Sequence, residues 1–456
     1  MAKKPAPRRR PRRTADQAQL DLRTAIEHQA AGRMAEAEQA CRSALAAQPA
    51  STAALHVLAV VTYRQGRMQE ALDLLQKTLR IDPHNHPAAI DFANMLSEAG
   101  DLAQATTVLE KVVLQAPRQI LALNNLGVLL KQSGRYRESI EYFHRVIALD
   151  PAYTPAYLNL GYALMLVEEW PEATEAFETA RRLEPANVEP IRVLSRLYRM
   201  LSRWDEAQAA FQAWAALDPA DPVPAYMQRV IAGGDELTRA PADYVKAEFD
   251  RFAESFDRQL RSLDYRGPET VQLVFQRWFP EPAATRVVGD LGCGTGLAAG
   301  WLRLYARHLV GVDLSSKMLV KAAERQLYDQ LIEGELDDFL AARVAEFDWL
   351  VAIDTFIYLG DLQATLKQAH RALRPTGILA FTIETANESR HGYQVSLSGR
   401  YRHSLGQVAD WSQSAGFAPP RVTPIQLRCE AGAPVAGALV WCEKRTVDQA
   451  HQPPLT

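Results

Sequence analysis

Cysteine is scarce. Four occur in 456 residues (Cys41, Cys293, Cys429 and Cys442), with no C-x-x-C pair and no neighbouring histidines at metal-ligand spacing. That rules out a disulfide-built scaffold and gives no metal site to expect, so reduced thiols in a cytoplasmic protein are the simplest reading. Long apolar runs are missing too: no stretch of about 18 residues could form a membrane-spanning helix. Acids are absent from the first thirteen residues, MAKKPAPRRRPRR, which carry seven Lys/Arg. The rest of the chain then holds 44 basic against 54 acidic side chains, a balance of −10 behind the overall −3. A proline-broken basic tail cannot bury apolar surface, so residues 1–17 and the final residues 447–456 are predicted to be disordered. The basic tail's charge allows contact with nucleic acid or an anionic membrane, although a solvated tail without a specific partner is the plainer reading. It also lacks the apolar core of a signal peptide.

Proline, by contrast, is placed with regularity. Pro49, Pro83, Pro117, Pro151, Pro185 and Pro219 follow one another at intervals of 34 residues. Small residues repeat at fixed offsets from them. One series is Ala37, Ala71, Ala105, Ser139, Ala173 and Ala207; another is Ala25, Ala59, Ala93, Gly127, Gly161 and Ser195. Glycines recur at Gly32, Gly66, Gly100 and Gly134, replaced by Glu168 and Ser202 in the last two units. Each unit reads as two short amphipathic helices, with small residues at their crossing and proline ending the second. This pattern resembles the tetratricopeptide repeat. Phe143, Phe177 and Phe211 fill its aromatic slot, and Cys41, Leu75 and Leu109 stand there in earlier units. The resemblance implies an all-α superhelix over residues 18–220 whose concave face holds a protein or peptide. Asn94, Asn124, Asn125 and Asn159 are candidates to line that face, or to bond neighbouring helices instead. Residues 221–243 read as a linker with a short capping helix near Val223–Ala232.

The second half is organised around VVGDLGCGTGLAAG, residues 287–300. Two valines end a buried strand, Asp290 stands at its carboxyl end, and Gly292, Gly294 and Gly296 follow at alternate positions. Glycine lets a backbone turn sharply and approach a ligand closely. The run Leu297 to Tyr305 predicts a helix aiming unpaired N–H groups at that ligand. A dinucleotide loop would need a third small residue where Leu297 stands. The acid-x-Gly-x-Gly-x-Gly spacing instead resembles the first motif of class I S-adenosylmethionine-dependent methyltransferases. Residues further along the chain fit that resemblance. Asp313 ends a second apolar strand, 21 residues after Gly292, and suits a bidentate bond to two ribose hydroxyls. The continuation DLSSKML implies adenine contacts from Leu314 and Met318, the latter reading equally as a helix-core methionine. EGEL places Glu335 and Leu336 at the adenine edge, though Asp337 and Asp338 leave the register open. Cys293 lies inside the loop, where a small side chain suffices.

Phe347 to Asp354 reads as a fourth buried strand, so Asp354 and Tyr358 should face the cofactor or acceptor. Leu373 to Glu384 forms a fifth, with Glu384 at its mouth. The long loop from Thr385 to Arg402 ends in SGRYRHS, which resembles a run in predicted methyltransferases carrying tetratricopeptide repeats. His391, Tyr401 and His403 are its possible acceptor-side groups. The segment Phe249, Asp250, Phe252, Ala253, Phe256, Asp257 resembles the helix that covers the cofactor in several small-molecule methyltransferases. DTFIYLGDL lacks the Asn/Asp-Pro-Pro-aromatic signature of amide and base methylation. The catalytic half is also similar to enzymes that methyl-esterify a malonyl carrier in biotin synthesis.

These readings predict repeats followed, at 244–446, by a Rossmann-like α/β domain with a seven-stranded, mostly parallel sheet. The implied cofactor is S-adenosylmethionine, held by Asp290, Gly292, Cys293, Gly294, Gly296, Asp313, Leu314, Met318, Glu335, Leu336 and Asp354. Asp354, Tyr358, Glu384 and His403 are the candidate bases for an acceptor that the sequence leaves unidentified. The alternative is a catalytically silent, cofactor-binding scaffold.

Overall fold

The computed structural model describes residues 15–234, 236–254, 256–257, 260, 265–386, 391–430 and 433–445. Most of the predicted tails therefore lies outside the described residues. The first helix already begins at Ala15, inside the stretch expected to be tail. The chain forms two compact units, residues 1–190 and 191–456. The repeat period predicts a division near 220 instead, one helical pair later.

The first unit is a series of helical hairpins, beginning with Ala15–Ala30 and Met34–Ala47 and running to Thr154–Leu166 and Trp170–Leu183. Their fit follows a volume rule that runs through the repeats. Where the aromatic slot holds Phe143 or Phe177, the residue 16 positions earlier is glycine. A Cβ there would sit 2.6 Å from the Phe143 ring at Gly127 and 2.5 Å from the Phe177 ring at Gly161. Where the slot holds Leu75 or Leu109, Ala59 or Ala93 takes the glycine's place, and all four are fully buried. The asparagines of the first helices bond one another across repeats. Asn125 donates to Asn94 (2.9 Å), Asn159 donates to Asn124 (3.2 Å), and Lys131 donates to Asn159 (3.3 Å).

The turn between the paired helices is left-handed at Gly32, Gly66, Gly100 and Gly134, with φ between 76° and 89°. Glu168 and Ser202 keep that conformation, at φ 63° and 57°, although each carries a Cβ. Such residues cost about 1 kcal/mol or more.

The second unit contains the last repeat pair, Val188–Met200 (its first residues in the other unit) and Trp204–Leu217, the capping helix Pro222–Ile231, and the helix Ala242–Phe252. These accompany a nine-stranded sheet: β1 Arg286–Leu291, β2 Ala306–Asp313, β3 Gln330–Glu333, β4 Phe347–Ala352, β5 Leu373–Thr385, β6 Tyr393–Val395, β7 Tyr401–His403, β8 Arg421–Glu430 and β9 Ala433–Glu443. The order β3-β2-β1-β4-β5 is parallel, and β9 with β8 continues it antiparallel from β5. These are the seven strands expected. The two extra ones come from the predicted 385–402 loop. Because β9 occupies one edge of β5 along Ile378–Glu384, β7 pairs Glu384 and Thr385 on the other edge, beyond the end of β4. Aromatic packing around Phe275, Trp301, Trp349 and Trp441 fills one face of the sheet, and Phe347, Leu350, Phe356 and Phe381 fill the other. Strand order reverses between β1 and β4, and the crevice at such a switch point is where doubly wound folds bind ligands.

Two outcomes check the packing of the repeats. Gly127→Ala should lower stability by about 1–3 kcal/mol through overpacking against Phe143, despite alanine's better helix propensity. Adding Phe143→Leu should recover most of it, since neighbouring repeats pair alanine with leucine; denaturant midpoints of the single and double variants would refute the rule if the second change brought no recovery. Glu168→Gly should raise stability by about 1 kcal/mol by relieving the left-handed turn, read from the same unfolding curves.

Candidate functional site

A cavity of about 270 Å³ opens at the carboxyl ends of β1, β2 and β4. Its floor is the glycine loop. Gly292, Gly294 and Gly296 all have positive φ, at 69°, 53° and 79°. A Cβ at Gly292 would collide with Thr355, whose hydroxyl donates to the carbonyl of Leu291 (2.7 Å). At Gly294, by contrast, the nearest atom to an added Cβ is in Phe256, 4.0 Å away, so the backbone there faces open space. The helix predicted to follow the loop over 297–305 is a single turn, Ala299–Leu302. A turn that short has little dipole, and the loop's N–H groups at Gly292, Cys293 and Gly296 donate to the carbonyls of Val312 (2.8 and 3.0 Å) and Cys293 (2.8 Å).

Asp313 ties the floor together. Its two carboxylate oxygens accept the backbone N–H of Gly294 (2.8 Å) and of Ser315 (2.8 Å). Each ionised carboxylate oxygen has a second lone pair, so both can still take a ligand hydroxyl. Asp290 is 2% exposed and accepts the Tyr328 hydroxyl (2.6 Å). Burial pushes its carboxyl up to about 7.

The roof is the segment with the Phe–Asp pattern. Phe249 and Phe256 line the cavity and stand edge to face at 5.9 Å, and Phe249 meets Tyr358 at 5.6 Å. The segment's two aspartates hold it over both strand ends. Ser315 donates its hydroxyl to Asp250, and Thr295 and Arg325 bond Asp257 (2.5 and 2.6 Å). On the β3 side, Glu335 and Leu336 line the cavity while Asp337 is engaged by Arg239 and Thr365 (2.9 and 2.7 Å). That geometry picks one register from the acidic run.

The far wall carries charge that sequence reading missed. Arg428, on β8, bonds Asp354 (3.3 Å) and Glu384, and Arg400 bonds Glu384 (3.0 Å), with Arg402 at 3.5 Å from the same carboxylate. Arg400, Arg428, Asp354 and Tyr358 line the cavity. The only sequence signal for Arg400 was SGRYRHS, and Arg428 had none that the sequence reading used. Asp354 has a left-handed backbone (φ 53°), fixed by bonds to and from Thr382 (2.8 and 3.1 Å). Burial raises its carboxyl, while Arg428 pulls the other way. Burial pushes the Tyr358 phenol up to about 12, so it is a hydroxyl donor at neutral pH and not a base.

The remaining predicted residues stand elsewhere. Glu384 is 1% exposed behind the cavity, bracing three guanidiniums. His403 is fully buried beside the Gly360 carbonyl (3.1 Å), and burial pushes its ring down to about 4. Neither lines the cavity. Met318 is fully buried in the helix Ser316–Glu324 and Gly296 sits against Tyr328 and Arg325, so these two also fall outside the lining, whereas Cys293 and Leu314 belong to it.

Fold and cleft together define an α/β body of the doubly wound kind, and its match is to a methyltransferase domain, over residues 289–381. Residues 16–157 match the cytochrome c-type biogenesis protein H TPR domain, and 158–222 match a tetratricopeptide repeat. The chain therefore carries a methyltransferase domain behind tetratricopeptide repeats. It is similar to the malonyl-[acyl-carrier protein] O-methyltransferase of Yersinia pestis, 30% identical over 138 residues, which is 30% of this chain and 49% of that one. The enzyme of the same name from Dechloromonas aromatica (strain RCB) is 28% identical over 190 residues, 40% of this chain and 68% of that one. The chain thus spans about half the length of the first relative and two thirds of the second. A solved Pseudomonas aeruginosa pilF structure resembles it at 20% identity and TM-score 0.41 over 45% of this chain and 94% of that one, too low a score to carry an argument. Among the described residues, no helix is long and apolar enough to cross a membrane.

Asp290 gives the site a pH signature. An acid whose pKa rises on folding adds stability while protonated, fully below its ordinary value of about 4, and loses it as pH rises through about 7. Asp290→Asn should therefore flatten the fall in melting temperature between about pH 4 and 7. Parallel slopes for parent and variant, in ligand-free thermal melts, would assign the titration to another group.

Proposed function

We propose that this protein is a cytoplasmic methyltransferase using S-adenosylmethionine, with an oxyanion, a carboxylate in the first instance, as acceptor. When bound, S-adenosylmethionine supplies a methyl group activated on a sulfonium. The open backbone at Gly294, beside Cys293, would take the amino-acid end, near the Asp290 carboxyl. Asp313 has lone pairs left for the ribose hydroxyls, and Leu314, Glu335 and Leu336 flank the space for adenine. The roof of Phe249 and Phe256 excludes water from that space, which strengthens every charge interaction beneath it.

The observation that carries the acceptor assignment is the far wall. Of the four candidate bases, Glu384 and His403 lie behind it, Tyr358 keeps its proton, and Asp354 is engaged by Arg428. A neutral acceptor would need a base within reach, whereas a carboxylate needs none and would meet Arg400, Arg428 and the Tyr358 hydroxyl. The relatives' malonyl-carrier O-methylation is chemistry of that kind. The repeats, on this reading, hold a protein or peptide at the asparagine-bearing helices. The free, buried thiols of Cys41, Cys293 and Cys442 support a reducing compartment.

Calorimetric titration with S-adenosylmethionine should show binding that Asp313→Asn weakens about tenfold, the usual worth of a hydrogen bond to a charged group. Incubation of the full chain with methyl-labelled cofactor and cell extract should then label an acceptor whose label is released as methanol by mild alkali, as esters are. Base-stable label would overturn the carboxylate assignment, and absence of binding would overturn the enzyme.

A further inference from the structure

Arg400 reaches the cavity from a turn, and that turn is gripped from behind by the end of the repeat array. Within the second unit, Arg199, on the last repeat's first helix, donates Nη2 to the carbonyl of Ser398 (3.0 Å). Tyr226, on the capping helix and 2% exposed, donates its hydroxyl to the carbonyl of Gly399 (2.9 Å). Gly399 has φ +84°, and a Cβ on it would lie 2.9 Å from the Tyr244 hydroxyl and 3.1 Å from the Met227 sulfur, so the turn is pressed closely against these helices. The turn closes on itself through Ser396 N–H to Arg400 O (2.7 Å) and Gly399 N–H to Ser396 O (2.8 Å). The linker makes a similar grip on the neighbouring wall, where Ala240 N–H donates to Tyr358 O (2.8 Å) and Gly360 N–H to Thr238 O (2.8 Å).

We infer that Arg199 and Tyr226 are positioning residues for the acceptor: by holding the Ser398 and Gly399 carbonyls they set where Arg400 presents its guanidinium in the cavity. Neither side chain lines the cavity, and both bond the turn that carries Arg400, so they act on acceptor binding and leave the cofactor's wall alone. This rests on the methyltransferase reading of the cleft.

The test uses the full chain as Arg199→Ala, Arg199→Lys and Tyr226→Phe, with methyl-labelled S-adenosylmethionine and graded amounts of one cell extract as the acceptor source. In Arg199→Ala the half-saturating extract concentration should rise about tenfold, and in Tyr226→Phe about fivefold, each having lost its hydrogen bond to the turn. The KM for S-adenosylmethionine should stay within about twofold. Arg199→Lys, whose ammonium can still donate to Ser398 O, should return to within about threefold of the parent. Amide exchange at Gly399 and Arg400 should speed up in the alanine variant, with the glycine loop unchanged. A joint shift of both half-saturation values with a lowered melting temperature, or no shift in either, would overturn the inference. Should the parent itself neither bind nor transfer, the methyltransferase reading fails separately, and amide exchange still decides the grip: unchanged protection over residues 396–400 would refute it, and acceleration confined there would support it.

Discussion

The cleft depends on one carboxylate that joins two strand ends. Asp313 accepts an N–H from the glycine loop after β1 and another from the turn after β2. Three glycines in succession at positive φ would otherwise be expensive to order, since glycine loses more backbone freedom than any other residue. Charge-assisted bonds at both ends of the carboxylate offset that cost and hold the loop in place along the cavity. The roof repeats the device. Asp250 and Asp257 reach from one helical segment to the same two loops, so three aspartates fix floor and cover relative to each other.

The opposite wall is built from charge as well, but buried charge. Arg428 between Asp354 and Glu384 is 5% exposed, and Glu384 accepts from two further arginines. Such a cluster is a poor source of stability, because desolvating each ion costs about as much as pairing returns. Its presence at the mouth of a cavity, with Asp354 held in a strained backbone beside it, fits a site that spends stability on orienting a ligand. The aspartates organise the glycine-loop side of the cavity, and the arginines organise the far wall.

Much of the glycine-loop side of the cavity was legible in the sequence because its groups are backbone or lie next to strand ends. Asp290, Gly294 and Asp313 are placed by spacing alone: a strand ends, the chain turns, and the residue at the turn lines the cavity. Met318 reads equally as cofactor contact or core; it is fully buried in its helix and outside the cavity lining. The helix over 297–305 failed to extend beyond one turn because Leu302, Tyr305 and Ala306 are drawn into the sheet's aromatic core, and β2 begins at once. The acceptor side was barely legible. Arg400 and Arg428 come from a loop hairpin and from an antiparallel edge strand, 28 residues apart in sequence, and only the pairing of β5 with both β7 and β9 brings them to Glu384. Charge placed by non-local pairing leaves no period and no local spacing to read.

The repeats show the same limit from another direction. A 34-residue ruler runs without a break to Pro219, yet the compact unit that holds the sheet begins at residue 191. Periodicity records how each hairpin covers the next. It does not record what covers the last one, and a solenoid must close its end with something other than another identical unit. The last pair shows this in its exposed-looking polar residues. Arg196 lies over the Phe252 ring (5.5 Å) and Arg199 bonds Ser398, so side chains that would be solvated in an interior repeat here face the body bearing the cleft. The repeat pattern is therefore a poor guide to mechanical division at its sixth unit, because the helices that end the array also bond the turn that carries Arg400.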